Sequence, residues 1–158
     1  MTHITFLWVE KTKLAWMREG IEFYQKRLER YVRLSVKEVP GSADLSACNV
    51  QAGVKTEGAA LLRAIPKGSL VVALDVRGDF LDSPGLARLL SAWETAGHSH
   101  LCFIVGGAYG LSQEVLQRAH RRLSLSSLTF THDMSRLILM EQLYRAYSIK
   151  AGSPYHHE

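Results

Sequence analysis

The sequence predicts an α/β domain: a mostly parallel sheet flanked by helices. Two short apolar runs carry that expectation. Residues 69–74 (SLVVAL) and 101–105 (LCFIV) contain no charge and are bounded by breakers or polar residues. A run that short and apolar on both faces must be covered on both faces, which is the place of a central parallel strand. The third observation is order. Strand-like segments alternate with segments of helical period along the chain, which calls for crossover connections. No linker, repeat or low-complexity tract interrupts residues 1–158, so one domain is expected. A chain of about 150 residues buries roughly 70% of its unfolded surface and needs no metal or disulfide staple.

Each element follows from local pattern. Residues 4–9 are apolar and end in charge, as a buried strand does. Over 13–31, Leu14, Met17, Ile21, Tyr24, Leu28 and Tyr31 fall three or four apart and form one helical stripe. Residues 34–39 are β-rich and stopped by Pro40-Gly41. The small polar residues 41–53 show no period and are expected as a mobile loop, with a helix over about 54–64. After the 69–74 strand a loop is expected over 75–82. Ser83 then reads as an N-cap with Pro84 in the first turn of a helix ending near Gly97. The 101–105 strand runs into Gly106-Gly107-Ala108-Tyr109-Gly110, and Ser112 caps the next helix. Residues 123–130 read as a strand and loop, and 131–150 as a long helix broken by Gly152 and Pro154.

Composition narrows the class. The chain is 47% hydrophobic and 22% charged, with a formal net charge of +4. This is globular and excludes disordered and collagen-like chains. No uncharged apolar run reaches the roughly 18–20 residues of a membrane span, so no membrane partner is expected. The first residues have neither the basic start nor the cleavage site of a secretory signal. Cys48 and Cys102 lack CxxC partners, which suits reduced thiols in the cytoplasm. Cations gather at Lys11, Lys13, Arg18, Lys26, Arg27, Arg30 and Arg33, and again at Arg118, His120, Arg121 and Arg122. Solvated helix faces and contact with a polyanion such as RNA both fit that pattern.

Ligands of open parallel sheets bind beyond the carboxyl ends of the strands. The loops 75–82, 106–110 and 126–132 are the candidates there. The glycines let backbone approach a ligand closely, but G-G-x-x-G is neither the dinucleotide fingerprint nor a P-loop. Ser124, Ser126, Ser127 and Thr129 among Leu123, Leu125 and Leu128 suit a pocket with apolar walls and a few polar groups, or equally a serine-rich turn. No HExxH or GxSxG occurs, the pairs His98/His100 and His156/His157 lack further ligands at metal spacing, and Asp75, Asp79 and Asp82 read as turn formers. No metal site is expected. The last helix is apolar almost all round, so one side is expected on the sheet and another on a second copy in a two-fold homodimer. Glu141 and Arg145 either pair along that helix or leave Arg145, with Arg136, facing an anionic substrate.

Four segments in order, FIVGGAYGL (103–111), SLSSLTFTH (124–132), RLILMEQLYRA (136–146) and PYH (154–156), resemble the ribosomal large-subunit pseudouridine N3-methyltransferases of the SPOUT class. The likeness in length and element order spans essentially the whole chain. It implies a C-terminal trefoil knot, a homodimer, and S-adenosylmethionine as cofactor with no metal. It also implies methylation of N3 of a pseudouridine in helix 69 of 23S rRNA on the assembled ribosome. Carried over, the cofactor site falls on Leu74, Gly106, Gly107, Leu125, Ser126, Ser127, Leu128, Thr129 and Phe130. The substrate side falls on His132, Arg136, Glu141, Tyr144, Arg145, Tyr155 and His156. Of these, His156 and then His132 are the candidate acceptors of the N3 proton; Arg136 or Arg145 stabilising an imide anion is the alternative. Many members carry Arg or Lys after the tail Tyr-His, where this chain has His157. A non-catalytic ribosome- or RNA-binding module, or a SPOUT enzyme acting on tRNA, are the other functional readings.

Overall fold

The computed structural model describes residues 1–42 and 49–157. Strands and helices alternate throughout: β1 (His3–Val9), α1 (Ala15–Leu28), β2 (Arg33–Val39), α2 (Val50–Ala64), β3 (Leu70–Phe80), α3 (Ser83–Thr95), β4 (His100–Val105), α4 (Gln113–Arg118), β5 (Arg121–Ser124) and α5 (His132–Lys150). The five strands form one parallel sheet in the order β2-β1-β4-β3-β5. Phe6 lies opposite Val36 on one side and Phe103 on the other.

Strand alternation divides the core in two. Ile4, Phe6, Trp8, Val72, Leu101, Phe103 and Val105 face Met17, Ile21 and Leu28 of α1, Leu86 and Leu90 of α3, and Leu139, Met140 and Leu143 of α5. Leu7, Val9, Val71, Cys102 and Ile104 face Leu61 of α2 and Val115 of α4. Crossovers toward β2 thus use one face and crossovers toward β5 the other. All share one hand, as the rule for parallel crossovers requires. Burial pushes the Cys102 thiol up to about 12, so it stays protonated.

Several expectations change. α2 begins at Val50, inside the stretch expected as loop, and Asn49 caps it by accepting from the Ala52 N–H. Residues 43–48 of that stretch, Cys48 included, lie outside the described residues. Asp82, not Ser83, caps α3 by accepting from Gly85 N–H; Ser83 Oγ instead donates to Gln142 Oε1 at 2.6 Å. α5 spends its apolar girth within the protomer, packed against both α1 and α3. Its composition therefore does not by itself call for a second copy.

The 75–82 segment is also largely strand. β3 pairs with β5 up to Leu74, bulges, and pairs again at Asp79 and Phe80, so that Leu74 and Asp79 both oppose Leu123. Gly78 makes the return possible: a Cβ there would sit 2.7 Å from the Arg122 carbonyl carbon. Gly78→Ala must push β5 off β3. We expect a loss of about 1–3 kcal/mol, measured as a lower urea midpoint with unchanged m-value.

Candidate active site

The carboxyl ends of β3, β4 and β5 and the first turn of α5 enclose a cavity of about 460 Å³. Leu74, Asp75 and Val76 come from the β3 bulge, Val105 to Leu111 (Tyr109 excepted) from the loop after β4, and Leu123 to Ser126 with Leu128 to Thr131 from the segment after β5. His132 and Ser135 close it from α5. The size suits a small organic ligand. Gly106 must lack a side chain, because a Cβ there would lie 2.7 Å from the Gly110 carbonyl carbon. The Gly110 N–H donates to the Gly107 carbonyl and closes the turn.

The serines build the wall and do not crowd the cavity with free hydroxyls. Ser124 Oγ donates to the Ser126 carbonyl at 3.0 Å, and Ser126 Oγ accepts from the Leu128 N–H at 3.0 Å. Thr131 caps α5 by accepting from the Met134 N–H. Of the nine residues carried over to the cofactor side, all but Ser127 line the cavity.

His132 is the one residue of the substrate-side group on the cavity wall. Its Nε2 lies 3.4 Å from Asp133 Oδ1, and Arg136 Nη1 lies 3.4 Å from the same oxygen. Burial pulls the His132 pKa below the usual 6.5, Asp133 and Glu10 opposing the shift and Arg136 and Lys13 adding to it. Arg136 does not reach the cavity surface. Its side chain is fully buried and donates to the carbonyls of Val9 and Glu10 and to Thr12 Oγ1, with its guanidinium 4.8 Å from the Trp8 ring centroid. Nothing in the sequence marked Arg136 as an anchor; the acceptors it ties down, Val9, Glu10 and Thr12, are more than a hundred residues away.

The remaining substrate-side residues form a second cluster. Glu141 Oε1 accepts from Arg145 Nη2 at 2.6 Å and from Tyr155 Oη at 3.1 Å. Arg145 Nη1 lies 3.3 Å from His156 Nδ1, and its guanidinium sits 4.8 Å from the Tyr155 ring centroid. Tyr155 packs edge-on against Tyr144 at 4.7 Å. The hydrogen bond to Glu141 raises the Arg145 pKa above its usual value. The tail is thus folded back onto α5. At 1.5 Å per helical residue, Arg145 stands about 20 Å along the axis from His132, so one protomer does not unite the two groups.

A parallel sheet with helices on both faces and a ligand-sized cavity at the carboxyl rim places the protein among α/β proteins that bind a ligand beyond the strand ends. The profile of the family described as "Predicted SPOUT methyltransferase" matches residues 2–156. The chain belongs to that family. A relative from Desulfotalea psychrophila named "Ribosomal RNA large subunit methyltransferase H" is 46% identical over 92% of this chain and 94% of its own. A relative of the same name from Geotalea daltonii is 43% identical over 96% and 97%. Among solved structures, a "probable methylase family protein" from Haemophilus influenzae shares the fold at TM-score 0.58 and 14% identity, covering 99% of this chain and 70% of that one. A "Probable Methyltransferase" from Bordetella pertussis does so at 0.57 and 14%, covering 92% and 96%.

Arg136 generates a direct expectation. Arg136→Leu leaves the Val9 carbonyl, the Glu10 carbonyl and Thr12 Oγ1 without this donor and Asp133 without its cation. We expect a loss of about 3–5 kcal/mol, read by chemical unfolding. Arg136→Lys recovers only part, since an ammonium lacks the planar fork that spans these acceptors.

Proposed function

We propose that this protein methylates N3 of a pseudouridine in helix 69 of 23S rRNA on the assembled ribosome, using S-adenosylmethionine. The observation that carries this reading is the cavity built by the three rim segments, in a chain related over nearly its full length to proteins named for ribosomal RNA large subunit methylation. The residues present fit the cofactor. Leu74, Leu111, Leu125 and Phe130 supply apolar walls, and Gly106 presents bare backbone where a side chain would clash. In this reading the C-terminal half of the chain is tied as a trefoil knot. The protein works in the cytoplasm, where ribosomes are its substrate.

Bound S-adenosylmethionine supplies a methyl group on a sulfonium. The chain holds and orients, and it must take a proton, because the N3–H of the base is lost on methylation. His132 lines the cavity and is disposed to be neutral at pH 7, as a proton acceptor must be. Glu141, Tyr144, Arg145, Tyr155 and His156 form a substrate-facing cluster with a cation, an aromatic platform and a second imidazole. Because they stand apart from the cavity in one protomer, we assign them to the cavity of a second copy. Exposed Trp16, Phe23, Val76, Phe80 and Leu128 offer apolar surface for that homodimer.

Mass spectrometry of helix 69 fragments tests the function. Cells lacking the protein should lose one methyl on the pseudouridine and regain it on complementation. Purified protein should methylate intact ribosomes and not free tRNA. An unchanged helix 69 mass rejects the reading.

The proton acceptor is tested by single-turnover rates against pH. Protonation removes the base, and a depressed His132 pKa moves that loss below pH 6.5. The wild-type rate should hold down to about that pH and fall in more acid solution. His132→Ala should slow transfer by about 10²–10³-fold and remove the acid limb. If His132→Ala leaves both unchanged while His156→Ala abolishes them, His156 is the base.

A further inference from the structure

Gly107 lines the cavity, yet its backbone is not in the left-handed region and makes no conformational demand for glycine. The demand comes from behind. A Cβ on Gly107 would lie 3.3 Å from Glu57 Oε1. Glu57 belongs to α2, on the opposite side of this loop from the cavity, and only 5% of it is exposed. Its carboxylate accepts from the Ser42 N–H at a long 3.4 Å. Among the described residues no Lys, Arg or His comes within ion-pair distance of it. Burial, with Glu10 nearby, raises its pKa, while the Ser42 contact opposes that. A buried carboxylate without a cation is costly. Asp75, which also lines the cavity, differs in having Arg77 at 3.8 Å.

We propose that Glu57 is a binding residue for the positive charge of the methyl donor, acting across the bare backbone of Gly107. A side chain at position 107 would meet the carboxylate at 3.3 Å and shift it by a few tenths of an ångström, whereas glycine leaves only bare backbone beside it. The inference rests on the reading that the cavity takes S-adenosylmethionine, and adds which residue answers its charge. An isosteric Gln keeps the shape of Glu57 and removes only the charge.

Calorimetry with two ligands separates charge from packing. S-adenosylmethionine carries a sulfonium and an ammonium; 5′-methylthioadenosine keeps the nucleoside and carries neither. Glu57→Gln should weaken S-adenosylmethionine about tenfold, about 1.4 kcal/mol, and leave 5′-methylthioadenosine within twofold. Glu57→Asp, which keeps the charge one methylene further back, should show a smaller loss confined to the charged ligand and serves if the Gln variant does not fold. Equal weakening of both ligands, or of neither, overturns the proposal. Wild-type protein that binds the neutral nucleoside and not S-adenosylmethionine overturns the cofactor reading and this inference with it.

Discussion

The Arg136 guanidinium ties the end of β1 to the first turn of α5, and the cavity depends on that tie. Where an interior parallel strand ends, its last carbonyls leave the ladder and need new donors. Here Val9 and Glu10 meet that problem, and one planar side chain donates to both and to Thr12 as well. Glu10 is the one non-glycine residue among those described with a positive φ, at 61°. The turn it makes aims its carbonyl at the guanidinium. With the start of α5 fixed, Thr131, His132 and Ser135 become a wall of the cavity and not a fraying helix end.

The rest of the cavity shows a second economy. Ser124 and Ser126 use their hydroxyls to hold the 124–128 turn, and the loop after β4 closes on its own backbone. What remains for a ligand is mostly apolar surface and main chain, with Asp75, Thr129, His132 and Ser135 as the polar side chains on the wall. Such a site selects by shape and by the placement of a few charges. His132 and Asp75 on the wall, with Glu57 and Asp133 behind it, therefore carry more weight than the larger number of polar residues in the loops would suggest.

Much of this was legible in the sequence, and the exceptions share a cause. Buried strands announce themselves because both faces are apolar, and of the three loops that the carboxyl-rim rule selected, those after β4 and β5 line the cavity while 75–82 adds only Asp75 and Val76 and is otherwise mostly strand. The start of α2 was hidden because its buried face, Gly53, Glu57, Gly58 and Leu61, offers no apolar side chain until Leu61. The extension of β3 was hidden because Asp75, Arg77 and Asp79 look like a loop, while the residue that permits pairing is Gly78 pressed against Arg122. Arg136 read as a candidate for substrate because a buried arginine has no local signature. Its burial is a property of the end of β1, remote in sequence.

α5 is the member along which these parts are measured. Its first turn closes the cavity, and its second half carries Glu141, Tyr144 and Arg145 with the tail folded onto them. The helix is rigid and the tail is held by Arg145, so the roughly 20 Å between the two groups is not closed by local motion of one protomer. A two-fold axis crossing near the middle of this helix would lay two copies of α5 antiparallel and bring the cluster of each toward the cavity of the other. A head-to-tail pair would do this for one cavity and leave the other bare unless further copies closed a ring. If both groups serve one reaction, the spacing along α5 calls for a second copy, and an isologous pair completes both cavities at once. This reason for a second copy rests on geometry. The apolar girth that first suggested a partner is already spent between α1 and α3.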